Sequence, residues 1–164
     1  MVASAFELSE RLREPVVLRV VTRLAHSRAA VEVGEPLAEK PLNVSTERWV
    51  LLPGIARKRY DALIAKQPEM EQAAADSIYN KVEQCAEAPR LGIVACGIAY
   101  NYVKEVVGEK VNLLKVSQYP LPAAAVQALA ASNDVILVVE DGQPVVEEQV
   151  KGLLSAGYPV KGRL

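Results

Sequence analysis

The sequence is poor in the residues from which metal and redox sites are built. It has two cysteines, Cys85 and Cys96, and one histidine, His26. Two thiols and one imidazole do not complete the four ligands of a structural zinc site. No Cys-x-x-Cys pair is present, so neither a zinc ribbon nor an iron–sulfur cluster is encoded in these 164 residues, and no metal site is expected. Two reduced, partly buried thiols are the plain expectation. Aromatic residues are also scarce, at 5%, whereas alanine and valine are abundant, a balance that favours an α/β protein over an all-β one. Charge of either sign is not in excess. Lys+Arg 19 against Asp+Glu 20 leaves a net −1, without the basic footprint that nucleic acid or an anionic membrane demands. No apolar run approaches the ~18–20 residues that cross a bilayer. The first ten residues carry acids and no apolar signal-type core. The expectation is a cytoplasmic chain with neither a nucleic-acid nor a membrane partner.

What is present is ordinary core-forming material: 51% apolar and 24% charged residues. Ala5–Arg13 carries Phe6, Leu8 and Leu12 among charges and reads as a short amphipathic helix. Pro15-Val16-Val17-Leu18-Arg19-Val20-Val21 is nearly continuous in apolar, mostly β-branched residues and reads as a strand buried on both faces of a sheet. Thr22–Arg28 is then a polar segment at that strand's carboxyl end. Gly34, Pro36 and Pro41 break any regular element over 29–46. Glu47–Leu52, around Trp49, fits a short strand. Ile55–Lys66 has helical spacing, and Pro68 starts a further helix over Glu69–Cys85, since proline suits a first turn and not an interior.

From Leu91 the pattern becomes regular. Leu91–Cys96, Val111–Val116 and Val135–Glu140 read as strands, with helices at Ala99–Val107, Pro122–Ala131 and Pro144–Ser155 between and after them. Tyr158–Val160 supplies a last short strand. Strands alternating with helices of about ten residues imply right-handed crossovers, hence a three-layer α/β/α fold with a mostly parallel sheet. The segments then divide as 1–28, 29–90 and 91–164: a helix–strand remnant, a helical connector and an α/β domain.

Ligands of open α/β sheets meet the carboxyl ends of the strands, which here are Cys96-Gly97, Ser117-Gln118-Tyr119-Pro120 and Glu140-Asp141-Gly142. Gly97 would let backbone amides approach a phosphate, yet Gly-x-Gly-x-x-Gly is absent and a tight turn without ligand is the plainer reading. Glu140 beside Asp141 suits cation binding or proton transfer, or simply caps the next helix. Lys115 is a possible partner of Glu140. Gly97, Tyr119 and Glu140 are therefore the strand-end candidates. Thr22–Arg28 is the densest polar cluster: Arg19, Arg23 and Arg28 offer bidentate grips for carboxylate or phosphate, and His26 a proton shuttle. A lone histidine is more often structural. No Gly-x-Ser-x-Gly, P-loop or Cys/His nucleophile pattern accompanies them, so no catalytic residue is assigned.

The same residues resemble a known family. Leu8-Ser9-Glu10, Pro15-Val16-Val17-Leu18-Arg19 and Thr22-Arg23-Leu24-Ala25-His26-Ser27 are similar to the end of the pyrimidine-binding domain in the alpha subunit of indolepyruvate ferredoxin oxidoreductase. Leu91-Gly92-Ile93, Gly97-Ile98-Ala99-Tyr100, Tyr102-Val103-Lys104-Glu105, Leu114-Lys115-Val116, Tyr119-Pro120-Leu121-Pro122, Val138-Val139-Glu140 and Glu148-Gln149-Val150-Lys151 follow in the same order. The resemblance implies a thiamine diphosphate enzyme that oxidatively decarboxylates aryl 2-oxoacids, joins the acyl group to coenzyme A and passes electrons through iron–sulfur clusters to ferredoxin. It also makes 91–164 a transketolase C-terminal-like domain that serves assembly rather than the thiamine chemistry.

The departures are large. The Gly-Asp-Gly motif for the magnesium diphosphate, the segment with the cofactor-activating glutamate and the family's cysteine clusters are absent from this sequence. The expectation is therefore a middle slice of the subunit that holds no cofactor itself. Its partners would be the remaining segments of the alpha subunit and a beta subunit, or a second copy in a homodimer. Thr22, Arg23 and His26, with Arg19, are the substrate- or cofactor-facing candidates. An independent nucleotide- or coenzyme A-binding module using the 96–100 turn is the rival expectation, and a stand-alone hydrolase or transferase ranks behind both.

Overall fold

The computed structural model describes residues 1–36, 38–39, 49–50, 52–87 and 89–164. The chain forms two compact units, Met1–Ile64 and Ala65–Leu164.

In the first unit, helix α1 spans Val2–Leu12 and buries Leu12. It stops where Arg13 turns left-handed, at φ 53°, and Ser9 Oγ donates to the Glu14 carbonyl at 2.8 Å. The expected strand at Pro15–Val21 does not form. The segment runs without regular structure and its side chains lie largely in solvent, Val17 being 86% exposed. The reason is the absence of a neighbour: among the described residues this unit has no other strand, so the β-branched run has no ladder to join. Within the polar segment Thr22–Arg28, Thr22–His26 forms the short helix α2, with no strand before it. Residues 29–36 and 38–39 carry no regular element. The rest of the expected linker, and Glu47, Arg48 and Leu51 of the strand expected at Glu47–Leu52, lie outside the described residues, while Trp49, Val50 and Leu52 are not in a strand.

The two helices expected on either side of Pro68 are one, α3, over Pro53–Ala75. Proline in a helix interior costs about 3 kcal/mol, through its missing N–H and its clash with the preceding turn. The flanking Ala62, Leu63, Ala65, Lys66, Gln67, Glu69 and Met70 are all strong helix formers, and together they carry the helix through. It ends ten residues earlier than expected, at Ala75 rather than Cys85, because Asp76–Asn80 turns into strand β1, Lys81–Glu83.

The second unit is an α/β sandwich. Strands β2 (Leu91–Cys96), β3 (Asn112–Val116), β4 (Val135–Val139) and β5 (Val160–Lys161) alternate with helices α4 (Ala99–Val107), α5 (Ala123–Ala131) and α6 (Val145–Leu153). The sheet order is β1-β3-β2-β4-β5; all neighbours are parallel except β1, which runs antiparallel along β3. The period of two along each strand sorts the apolar residues onto two faces. Val94, Leu114, Val116, Ile136 and Val138 pack under α5 and α6 with Val126, Leu129, Val146 and Val150. Ile93, Ala95 and Leu113 pack on the other face with Val103 of α4. The α/β/α layering read from the sequence is thus present. Gly92 is required by the close approach of α5: a Cβ there would lie 3.0 Å from both Asn133 Nδ2 and Leu129 Cγ.

Strand β1 had no counterpart in the sequence reading, and it is held by charge. Glu83 accepts from Tyr100 Oη at 2.5 Å, Lys104 Nζ at 2.6 Å and Lys81 Nζ at 2.8 Å. Bonds from Lys104, Lys81 and Tyr100 outweigh its partial burial and hold its carboxyl down at about 2, from 4.5. A depressed carboxyl stabilises the fold above its unfolded value and ceases to do so as pH falls through its folded one. The contribution is expected to be fully present above pH ~4.5 and to vanish towards pH ~2, worth on the order of 1–2 kcal/mol once solvent screening is allowed for. Urea titrations should therefore find wild type losing stability between pH 4.5 and 2.5 more steeply than Glu83→Gln. Parallel curves would remove Glu83 from the ledger.

Candidate functional site at the carboxyl end of the sheet

The strand order sets where a crevice opens. The chain leaves β2 through α4 for β3 on one side, then crosses through α5 to β4 on the other. The carboxyl ends of β2 and β4 therefore meet at a topological switch point, the usual place for a ligand in this architecture. Of the strand-end candidates, Gly97 takes φ +56° at the β2–α4 turn, where a side chain would be strained although the space is open. Its N–H donates to the Val116 carbonyl at 3.2 Å, which ties the turn to the end of β3.

Glu140, just past β4, does not stand free. Its carboxylate accepts from the main-chain N–H groups of Val146 at 3.0 Å and Glu147 at 2.9 Å. It thereby supplies the negative charge and two acceptors that the first turn of α6 needs. The capping role is the one observed. The Lys115–Glu140 pair is not: Lys115 Nζ lies 4.8 Å over the Tyr100 ring instead. The pleat explains this, because Lys115 pairs with Ala95, on the α4 face, whereas Glu140 is turned to the amides of α6, beneath the opposite face.

Cys96 is the residue that sequence reasoning passed over at this place. Burial, reinforced by the Glu140 charge, pushes its thiol up to about 12, against a bond from Tyr119 that favours the thiolate. Cys96, Tyr119 and Glu140 thus come together at the end of the sheet. What they form is a protonated thiol beside a carboxylate already spent on a helix, and a thiol in that state is a poor nucleophile. The only sequence signal for the grouping was position: each residue ends or follows a strand.

The wall carrying Tyr119 is built by Asn80. Its Oδ1 accepts from the N–H groups of Ser117 at 2.8 Å and Gln118 at 2.9 Å, and its Nδ2 donates to the carbonyls of Ala74 and Gln118, both at 2.9 Å. Ser77 Oγ donates to Gln118 Oε1 at 2.6 Å, and Gln118 Nε2 to the Ala73 carbonyl at 3.0 Å. The end of α3 is fastened in this way to the end of β3. At the other side of the unit, the buried Glu147 accepts from Lys151 Nζ at 2.7 Å and from the N–H groups of Arg163 and Leu164 at 2.7 and 3.2 Å. Lys151 first and these amides next hold its carboxyl below the usual range, so it too is structural.

Arg19, Thr22, Arg23 and His26 belong to the first unit, the last three on α2, and all four are exposed. Among the described residues no three His, Cys, Asp or Glu side chains gather in a way that would hold a metal ion. No helix of the described residues is long and apolar enough to cross a membrane.

Comparison with known proteins points to one group. The chain is 37% identical over 153 residues to the indolepyruvate oxidoreductase subunit IorA of Methanothermobacter thermautotrophicus, covering 89% of this chain and 25% of that protein. The corresponding subunit of Methanothermobacter marburgensis is 37% identical over 159 residues, covering 93% of this chain and 26% of its own length. That of Pyrococcus abyssi is 32% identical over 164 residues, covering 92% and 25%. The chain therefore spans about a quarter of the length of the curated relatives it matches, and it resembles a fragment of an oxidoreductase subunit. No family model matches it, and no solved structure matches it significantly.

Proposed function

We propose that this chain is a non-catalytic structural and interface part of a 2-oxoacid:ferredoxin oxidoreductase alpha subunit. The parent enzyme would decarboxylate aryl 2-oxoacids such as indolepyruvate oxidatively and release the acyl group on coenzyme A. Residues 91–164 would be the transketolase C-terminal-like domain, partnered by the rest of the alpha subunit and a beta subunit, with ferredoxin taking the electrons. The observation that carries this reading is the similarity along about nine tenths of the chain to subunits four times as long.

The residues present do not fit the parent's cofactors. Two cysteines are too few for an iron–sulfur cluster, and the best-placed acid, Glu140, is already committed to the amides of α6. No step through thiamine diphosphate or a cluster is therefore assigned to this chain. Arg19, Thr22, Arg23 and His26 are proposed to face substrate or cofactor in the assembled enzyme, supported by their exposed cationic and hydroxyl groups.

The rival, a free-standing nucleotide or coenzyme A module, has the strand-end crevice in its favour. The Glu140 carboxylate counts against it: its charge is felt at Cys96, where the 96–100 turn begins, and would repel a phosphate there. Thermal shift assays with coenzyme A, thiamine diphosphate–Mg and nucleotides separate the two. A ligand at 100 times its Kd adds about 2.7 kcal/mol of stability, a shift of several degrees. The interface reading expects no shift with any of them; a saturable shift with coenzyme A or a nucleotide would replace it by the module.

A further inference from the structure

The segment Pro15–Val21 is the part of the molecule whose chemistry and surroundings disagree most. Five of its seven residues are Val or Leu, of which Val17, Leu18, Val20 and Val21 are exposed. Among the described residues, the main chain of 15–20 makes no hydrogen bond to any other segment. Such a run, apolar on both sides and β-branched, suits a central strand covered on two faces rather than a solvated connector. Its main-chain groups are a row of donors and acceptors of the kind that template strand addition.

The relatives indicate what supplies the sheet. The match to the Methanothermobacter marburgensis subunit covers 93% of this chain. A continuous match of that extent leaves about a dozen residues uncovered in all, so 15–21 lies within it. That subunit has roughly three further quarters of polypeptide beyond the matched part.

Resting on the function proposed above, we infer that Pro15–Val21 inserts as a strand into a sheet edge of a partner polypeptide corresponding to the rest of an IorA-type subunit. The partner edge presents unpaired main-chain groups, with apolar cover for Val16, Leu18 and Val20 on one face and for Val17 and Val21, but not Arg19, on the other. Pro15 stands where a strand tolerates proline, at its first position.

The test uses the intact chain, tagged and recovered from anaerobic extract of the organism that encodes it, with partners identified by mass spectrometry. Hydrogen exchange at the amides of Val16–Val21 is then compared in the free chain and in the recovered complex. Fast exchange in the free chain, slowed at least 100-fold in a complex containing an IorA-type polypeptide, is the expected result. Leu18→Pro removes one main-chain donor from a segment that is irregular in the free chain, so it should lower recovery of the complex more than tenfold while the circular dichroism of the free chain stays unchanged. An IorA-type partner recovered with 16–21 still exchanging fast would overturn the insertion and leave the proposed function standing. Recovery of no such partner would overturn both. Protection that grows with the concentration of the purified chain alone would assign the strand to a second copy, which also overturns the proposal.

Discussion

Leu114→Ala is expected to destabilise the second unit by about 3–4 kcal/mol and to lower its urea midpoint by roughly 1–3 M. Leu114 is 1% exposed and sits in the central cluster with Val94, Val126 and Val146. Removing its isopropyl group forfeits the transfer energy of three carbons. It also opens a cavity between β3 and the α5–α6 layer, which a packed sheet on one side and two helices on the other do not readily close. Val17→Ala, by contrast, should stay within about 0.5 kcal/mol, because a largely solvated side chain gives up almost no burial. Far-ultraviolet circular dichroism across a urea series measures both. A Leu114→Ala loss below 1 kcal/mol would mean that this face of the sheet is loosely packed, contrary to the contacts described here.

The contrast between these two residues also explains what the sequence could and could not reveal. Leu114 and Val17 both stand in largely apolar runs, and both runs read as strands, that of Val17 being the richer in β-branched residues. What separates them is the neighbour. The strand of Leu114 has neighbours on both sides within its own unit, Leu91–Cys96 on one edge and Lys81–Glu83 on the other, whereas Pro15–Val21 has no partner strand among the described residues of its unit. Strand propensity is a statement about fit to a sheet, not about the presence of one. The same limit governs the site. The positions of Gly97, Tyr119 and Glu140 at strand ends followed from the βα alternation, and a cap on the next helix was among the readings of Glu140, but the direction of Lys115, away from Glu140, depended on the pleat. Pro68 misled for the opposite reason: the rule against interior proline is a cost, and a long run of good helix formers exceeded it.

Asn80→Ala is expected to cost about 2–4 kcal/mol, nearly as much as the core truncation, although Asn80 is polar and only partly buried. All four hydrogen-bonding valences of its amide are used. Alanine would leave the N–H groups of Ser117 and Gln118 and the carbonyls of Ala74 and Gln118 short of a partner at once. Asn80→Asp discriminates between the two halves of the clamp. A carboxylate still accepts from Ser117 and Gln118, but it faces the two carbonyls with negative charge and no donor. The variant should therefore be less stable than wild type at pH 7. Its carboxyl pKa should be raised in the fold, so stability relative to wild type should recover as pH falls through that value and the protonated acid regains a donor. Hydrogen exchange at Ser117 and Gln118 should quicken in Asn80→Ala, because this clamp fixes the loop that carries Tyr119 to Cys96. If Asn80→Ala unfolds within 0.5 kcal/mol of wild type, or if Asn80→Asp shows no recovery on acidification, the end of α3 is not what holds this wall of the crevice. The residue carries no signature in the sequence, where a helix runs on through it to Cys85. Its importance arises only because α3 stops at Ala75 and the returning chain adds an antiparallel strand beside β3, which brings a single amide within reach of two segments some forty residues apart.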